Sequence, residues 1–287
     1  MIRREISKSY TPKTEQGFLG AGHMARSVVV GGFEATDPFI FLMDDMLDKK
    51  DDDPAGGPHP HAGFETVSLM IDGEIKEMLE SMKEGDFQIM TAGRGVVHTE
   101  PIVGPTKGRL LQMWLNLPKE FRAVAPRLQT LPAEHVPVLN FPGVRMRLYS
   151  GTLSGISSPI QNYTPLIAAE IVLDAASIYT VEIPANFKAF IYVISGSVSI
   201  AELTVDGDQV AWLNTFVSEE LSELTLHSGQ NGLRLVLYAA KPTGDDIVSH
   251  GPFIADSSED ISSLYGQYKR GLMKHISTES AEHRITY

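Results

Sequence analysis

Apolar residues recur along the chain in short runs, broken by Gly, Pro, Asn and Asp. The runs at 27–30, 39–43, 66–71, 87–90 and 110–117 predict strands in the first half. Those at 144–149, 166–173, 178–183, 189–194, 223–227 and 233–239 predict strands in the second. Many short strands with turn residues between them predict an all-β sandwich or barrel. Helical spacing emerges near the C-terminus, in SSEDISSLYGQYKRGLM. Ser257 or Ser258 is placed to cap a helix there, Ile261, Leu264, Tyr268 and Leu272 recur at its period, and Gly271 is placed to close it. The acidic stretch DDMLDKKDDDPAGG has no calcium-loop spacing and reads as a solvated loop.

The pattern repeats once. MIDGEI (70–75) and VISGSV (193–198) both read as apolar strand, turn glycine, apolar strand. A Gly-Asp pair follows each, Gly85–Asp86 and Gly207–Asp208. The copies are offset by 123 residues at the first glycine and 122 at the second. Two versions of one β unit explain this, with the Pro-rich stretch 131–143 as linker. The expected division is 1–135 and 136–287, the latter carrying the helix.

Composition narrows the chemistry. The chain has 287 residues, 43% hydrophobic and 21% charged, ordinary for a globular protein. With no cysteine, any metal must take His, Asp or Glu ligands. The formal charge of −12 repels phosphate backbones, so no direct nucleic-acid partner is expected. The N-terminus lacks the apolar core of a signal peptide, and no run approaches 18 apolar residues. The expectation is a cytoplasmic protein without a membrane segment, with a nuclear location open to a eukaryotic one.

Two short motifs carry the chemistry. In GGPHPHAGFETV, His59 and His61 stand two apart, a spacing that puts both imidazoles on one face of a strand. Gly56, Gly57, Pro58 and Pro60 favour extended or turn geometry around them. In EGDFQIMTAGRGVVHTE, His98 and Glu100 repeat the spacing after a turn in which Gly93 and Gly95 permit positive φ. Two such pairs give three nitrogens and one carboxylate oxygen able to converge. That set suits Fe(II), Mn, Co, Ni, Cu or Zn and leaves two octahedral positions open. The repeat offset points to Glu182, Pro184, Glu220 and Ser222 in the second half, none of them histidine, so that barrel is expected to be metal-free. His227 and His250 are isolated, and His23, His135, His275 and His283 are scattered. Each is expected to be a surface or hydrogen-bonded imidazole.

HPHAGFETV followed by GDFQIMTAGRGVVHTE resembles the paired signature of the pirins, a branch of the cupin superfamily. DPFIFLMDD (37–45), LQMWLNLP (111–118), YSGTLSGI (149–156), FIYVISGSV (190–198) and HGPFIAD (250–256) extend the resemblance through nearly the whole chain. It implies a bicupin of two facing jelly-roll barrels, with one divalent metal, Fe(II) first among the candidates, in the N-terminal barrel. The family's ligands fall on His59, His61, His98 and Glu100. General cupins take a carboxylate a few residues after H-x-H, where Glu65 stands, but the pirin pattern assigns it to Glu100 and leaves Glu65 a structural hydrogen bond. Two positions depart from the family. Ala62 replaces the usual Arg after the second histidine, and the loop from Gly73 to Gly85 looks shortened. The function implied is a quercetin 2,3-dioxygenase-type oxygenase acting on an aromatic or enol substrate with dioxygen, Glu100 serving as general base. The alternative is an iron-dependent redox-sensing transcriptional cofactor that works through protein partners.

Overall fold

The computed structural model describes residues 2–52, 56–75, 81–99, 102 and 104–287. The chain forms two compact units, neither continuous in sequence. Thr14–His135 joins Thr243–Tyr287 in one, and Met1–Lys13 joins Val136–Pro242 in the other. The sequence predicts continuous halves instead, and the difference lies in where the two termini pair. Ile2–Arg3 runs parallel to Leu221–Ala240, and Ile6–Tyr10 extends the sheet beside Val210–Leu213. Buried Arg4 fastens this segment, donating to Ser222 Oγ and to the carbonyls of Pro184, Ala185 and Asn214 at 2.6–3.0 Å. At the other end Arg284–Thr286 pairs with Arg127–Leu131. Periodicity reports that a segment is extended, not which sheet edge it joins.

The first unit is a nine-stranded sheet. Its order is Arg284–Thr286, Arg127–Leu131, Phe87–Thr91, Phe64–Ile75, Thr106–Asn116, Phe39–Lys49, His23–Val29 and Thr14–Gln16, with Met82–Lys83 against Phe64–Ile75. A two-stranded ladder, His59–His61 with Val96–His98, stands apart from it. The other unit is a ten-stranded sheet whose apolar interior includes Ile191, Val193 and Val198, all fully buried. The expected strands are present, several of them longer. The runs 223–227 and 233–239 belong to one strand, Leu221–Ala240.

Gly73 and Gly196 are not at turns. They lie inside Phe64–Ile75 and Lys188–Ile200, each with φ of 76°. A Cβ on Gly73 would sit 2.3 Å from the Lys107 carbonyl, and one on Gly196 would sit 2.1 Å from that of Gly232. Only glycine allows that kink and that approach. The repeat also proves uniform. Gly85 N–H donates to Met70 O while Met70 N–H donates to Asp86 O. Asp208 and Gln209 make the same exchange with Val193, a constant offset of 123 residues. Asp208 (φ 66°), not Gly207, is thus the counterpart of Gly85 (φ 88°).

Helix Ser258–Lys269 starts on Ser257, whose side chain accepts Asp260 N–H. It ends in a Schellman motif: Gly271 N–H reaches Tyr268 O and Leu272 N–H reaches Gln267 O. Ile261 docks it into a cluster with Ala62, Phe253 and Met273. Leu272 lies past the helix and is exposed, contrary to the expected stripe. Among the described residues no helix is long and apolar enough to cross a membrane.

Each unit also buries a carboxylate between two arginines. Asp44, fully buried, accepts two hydrogen bonds from Arg109 at 2.8 Å and faces Arg26 at 3.4 Å. Glu170 accepts from Arg234 at 2.7 Å and Arg147 at 3.1 Å. In both, one arginine is the direct register partner of the acid and the other comes from the strand on its opposite side. Removing the acid leaves two desolvated guanidinium groups, though both arginines beside Glu170 keep some contact with water. Glu170→Ala is expected to cost about 3 kcal/mol in urea unfolding, and Glu170→Gln, which keeps an acceptor, less.

Candidate metal centre

The two-stranded ladder builds the site. His98 is the direct register partner of His59, and Val96 that of His61. Strand alternation puts His59 and His61 on one face, and the cross-strand pairing brings His98 to it. Ring centroids are 4.3 Å apart for His59–His98, 4.8 Å for His61–His98 and 4.9 Å for His59–His61. One nitrogen from each lies within 4.8 Å of the others, so the three could hold a metal ion.

Short contacts fix the frame. Gly63 and Gly93, each with positive φ, join through Gly63 N–H to Gly93 O at 2.9 Å. A Cβ on either would strike a carbonyl oxygen, of Ile254 at 2.0 Å and of Val124 at 2.2 Å. On the far side, Val97 N–H donates to Lys274 O at 2.9 Å, and His275 Nε2 lies 3.0 Å from Thr99 Oγ. The C-terminal segment thus braces the strand that carries His98, a role that no local motif signals. The ring of His61 packs edge-on against Phe64 and Trp114, which stack on each other at 4.1 Å.

The protonation pattern fits a cation. The Gly57 carbonyl, which can only accept, lies 2.8 Å from His59 Nδ1, so that nitrogen carries the proton. The Nε2 lone pair of His59 then points at His98 Nε2, 2.8 Å away. Two imidazole nitrogens bound to one metal at right angles would be about 3 Å apart. Burial pushes the His98 imidazole down to about 3, and the His59 and His275 rings push the same way. His98 is therefore neutral at pH 7, the form that donates a lone pair.

Glu100 lies outside the described residues. Glu65 is buried, accepts Thr91 Oγ–H at 2.7 Å, and takes no part in the imidazole cluster. Glu182 pairs across strands with Glu223 in the second unit, and His227 stands exposed opposite Ile178. His250 pairs with Tyr265 at 3.1 Å. Ala62, where the resemblance expects arginine, is buried. Residues 76–80 of the shortened loop lie outside the described residues. His23, expected at the surface or in a hydrogen bond, is buried and bonded to Asp45 at 2.8 Å, a partner that sequence reasoning did not name.

Residues 22–115 match the family model described as Pirin, and residues 168–274 the model described as Pirin C-terminal cupin domain. Together they cover more than half of the chain. The chain belongs to the pirin family. It has the bicupin all-β fold. Pirin of Mus musculus is 32% identical over 270 residues, 90% of each chain. A pirin-like protein of Solanum lycopersicum is 30% identical, over 86% of this chain and 85% of that one. A quercetin 2,3-dioxygenase from Acinetobacter baumannii shares the fold with a TM-score of 0.81 at 22% identity, covering 94% of this chain and 98% of that one. A bacterial pirin from Escherichia coli in complex with nickel(II) matches at TM-score 0.58 and 15% identity, over 82% and 99%. These pirin relatives include one that holds a metal, as the imidazole cluster here could.

Because His98 is held neutral when folded but titrates near 6.5 when unfolded, only the unfolded state takes up its proton as pH falls through 6.5. Its contribution to stability is intact above that pH and shrinks below it. In chelator-treated protein, urea unfolding at pH 6.5 and pH 5 is expected to differ by about 1 to 2 kcal/mol from this group. His98→Gln should lose that part of the dependence.

Proposed function

We propose that this pirin holds one divalent transition metal, Fe(II) first among the candidates, through His59, His61, His98 and Glu100, and acts as an oxygenase of the quercetin 2,3-dioxygenase type. Its substrate is a flavonol or similar enol, which it opens with dioxygen. The second unit carries no metal in this reading, since none of the positions at the repeat offset, Glu182, Pro184, Glu220 and Ser222, is a histidine. The observation that carries the proposal is the convergence of three imidazole nitrogens within 4.8 Å, with His59 turned by Gly57 so that its lone pair faces inward. The likeness in fold to a quercetin 2,3-dioxygenase supports the substrate class.

A bound divalent metal supplies Lewis acidity toward the substrate oxygen and open positions beside its protein ligands. The chain's own residues do the rest. The Gly57 carbonyl fixes the tautomer of His59. Burial keeps His98 unprotonated. Phe64 and Trp114 cover one side of His61 and limit water there. Glu100 accepts the proton of the substrate hydroxyl on its carboxylate, leaving the enolate that reacts with dioxygen.

Elemental analysis should find about one transition metal per chain in this reading. His59→Ala combined with His98→Ala should abolish it while the circular dichroism of the β fold persists. Undiminished metal in that variant would sink the assignment. Glu100→Gln keeps an oxygen donor and removes the basicity. It should retain metal but lower carbon monoxide release from quercetin by about 10²–10⁴-fold. Unchanged release would remove Glu100 from the chemistry. No turnover by metal-loaded wild type across several flavonols would shift the weight to the redox-sensing cofactor that acts through protein partners.

A further inference from the structure

A cavity of about 540 Å3 opens in the unit that carries the imidazoles, and His59 is part of its lining. The volume suits a small molecule. Its walls are largely apolar, with Leu47, Ile75 and Leu110 among them. Two features of this lining are not used by the imidazole cluster.

The first is a buried imidazole–carboxylate pair. Leu19 N–H donates to His23 Nδ1 at 3.2 Å, so the His23 proton sits on Nε2 and is donated to Asp45 Oδ1 at 2.8 Å. Asp45 is flanked by ladder partners on both sides, Ala25 and Leu110, so what it turns to the cavity is its carboxylate. Its neighbour Asp44 points to the opposite face, into the arginine cluster, as strand alternation requires.

The second feature is Phe18. It lines the cavity yet is 85% exposed. It rides on a loop held by His23: Gly17 N–H donates to His23 O, and His23 N–H donates to Gly20 O. A Cβ on Gly17 would come within 2.2 Å of the imidazole ring. The edge of the Phe18 ring meets the same imidazole at 5.4 Å. One histidine therefore seats both the carboxylate and the loop carrying the exposed aromatic ring.

We propose that this cavity binds an aromatic hydroxy compound, Asp45 accepting a ligand hydroxyl and Phe18 covering the ligand's ring, with His23 as the positioning residue for both. The choice of ligand class rests on the dioxygenase reading; the site itself rests on the cavity. Apolar walls call for an apolar body, and a carboxylate acceptor calls for a donor on it. A flat ring over the cavity gives Phe18 the contact that solvent does not. His59 in the same lining brings such a ligand to the imidazole cluster.

The test is equilibrium titration of quercetin into the full chain, metal-loaded and chelator-treated, read by its absorption shift. Asp45→Asn keeps the oxygen that accepts from His23 but presents an amide donor to the ligand. It should weaken quercetin about ten-fold or more. Phe18→Ala should weaken it about five-fold through faster dissociation, with Phe18→Tyr restoring it. Because Phe18 is exposed, its removal leaves the fold intact. Both losses should persist after chelation, and fully O-methylated quercetin should be insensitive to Asp45→Asn. Wild type failing to bind quercetin, or both variants binding it as wild type does, would overturn the proposal. Binding that depends on Phe18 and Asp45 without turnover would leave this site standing and remove the dioxygenase reading. Turnover that is equally fast and equally tight in both variants would do the reverse.

Discussion

The candidate centre depends on one geometric constraint: a strand places every second side chain on the same face, and pairing decides what stands opposite. His59 and His61 obey the first half of the rule, and His98 arrives by the second. A slip of one residue in that pairing would turn His98 away. The ladder is only three residues long on each side, too short to hold its register alone. It is held from outside, by the Gly63–Gly93 hydrogen bond at one end and the bond from Val97 to Lys274 on the flank. The left-handed glycines are needed because carbonyl oxygens occupy the space of a side chain.

The same scaffold is built twice, and among the described residues the imidazole cluster lies in one copy. The Met70–Gly85–Asp86 exchange returns 123 residues later, and the arginine–carboxylate–arginine group on Asp44 returns on Glu170. These are the parts that set sheet geometry, and they survive in both copies. The imidazoles do not. Glu182 and Glu223 pair in the second unit, whose interior is filled by side chains such as Ile191, Val193 and Val198. Fold and site are separable in this chain, as in folds generally.

Local patterns were legible in the sequence to the extent that they were local. The i, i+2 spacing of His59 and His61 needed no partner to be read, and the cap at Ser257 lies within three residues of the group it satisfies. Strand identity was legible too, since alternation and turn residues are near in sequence. Gly73 and Gly196 misled because a glycine between apolar runs signals a turn or a bulge alike, and only the carbonyl approaching from Lys107 or Gly232 tells them apart. The exchange of the termini was not legible, nor was the bracing by His275, because each depends on pairing across more than a hundred residues. His23 looked like one of several scattered histidines. Its burial against Asp45 comes from the register of His23–Val29 on Phe39–Lys49, which no single motif encodes.

The charge of the centre bears on what it selects. The three imidazoles provide donor atoms but no negative charge, and burial holds His98 neutral. A divalent cation among them would keep its full charge in a poorly hydrated place, a costly state. A carboxylate from Glu100 removes one unit, and that is the physical reason a fourth ligand of this type belongs in the proposed set. One positive unit then remains, best matched by an anionic oxygen on the incoming molecule. A hydroxyl that ionises readily, as an enol or a phenol does, meets that need better than a simple alcohol. Asp45 adds the complementary filter: a carboxylate on the cavity wall disfavours a second anionic group there and rewards a neutral hydroxyl. Together the two ends favour a ligand with one ionisable hydroxyl and at least one neutral one, separated by an apolar ring system.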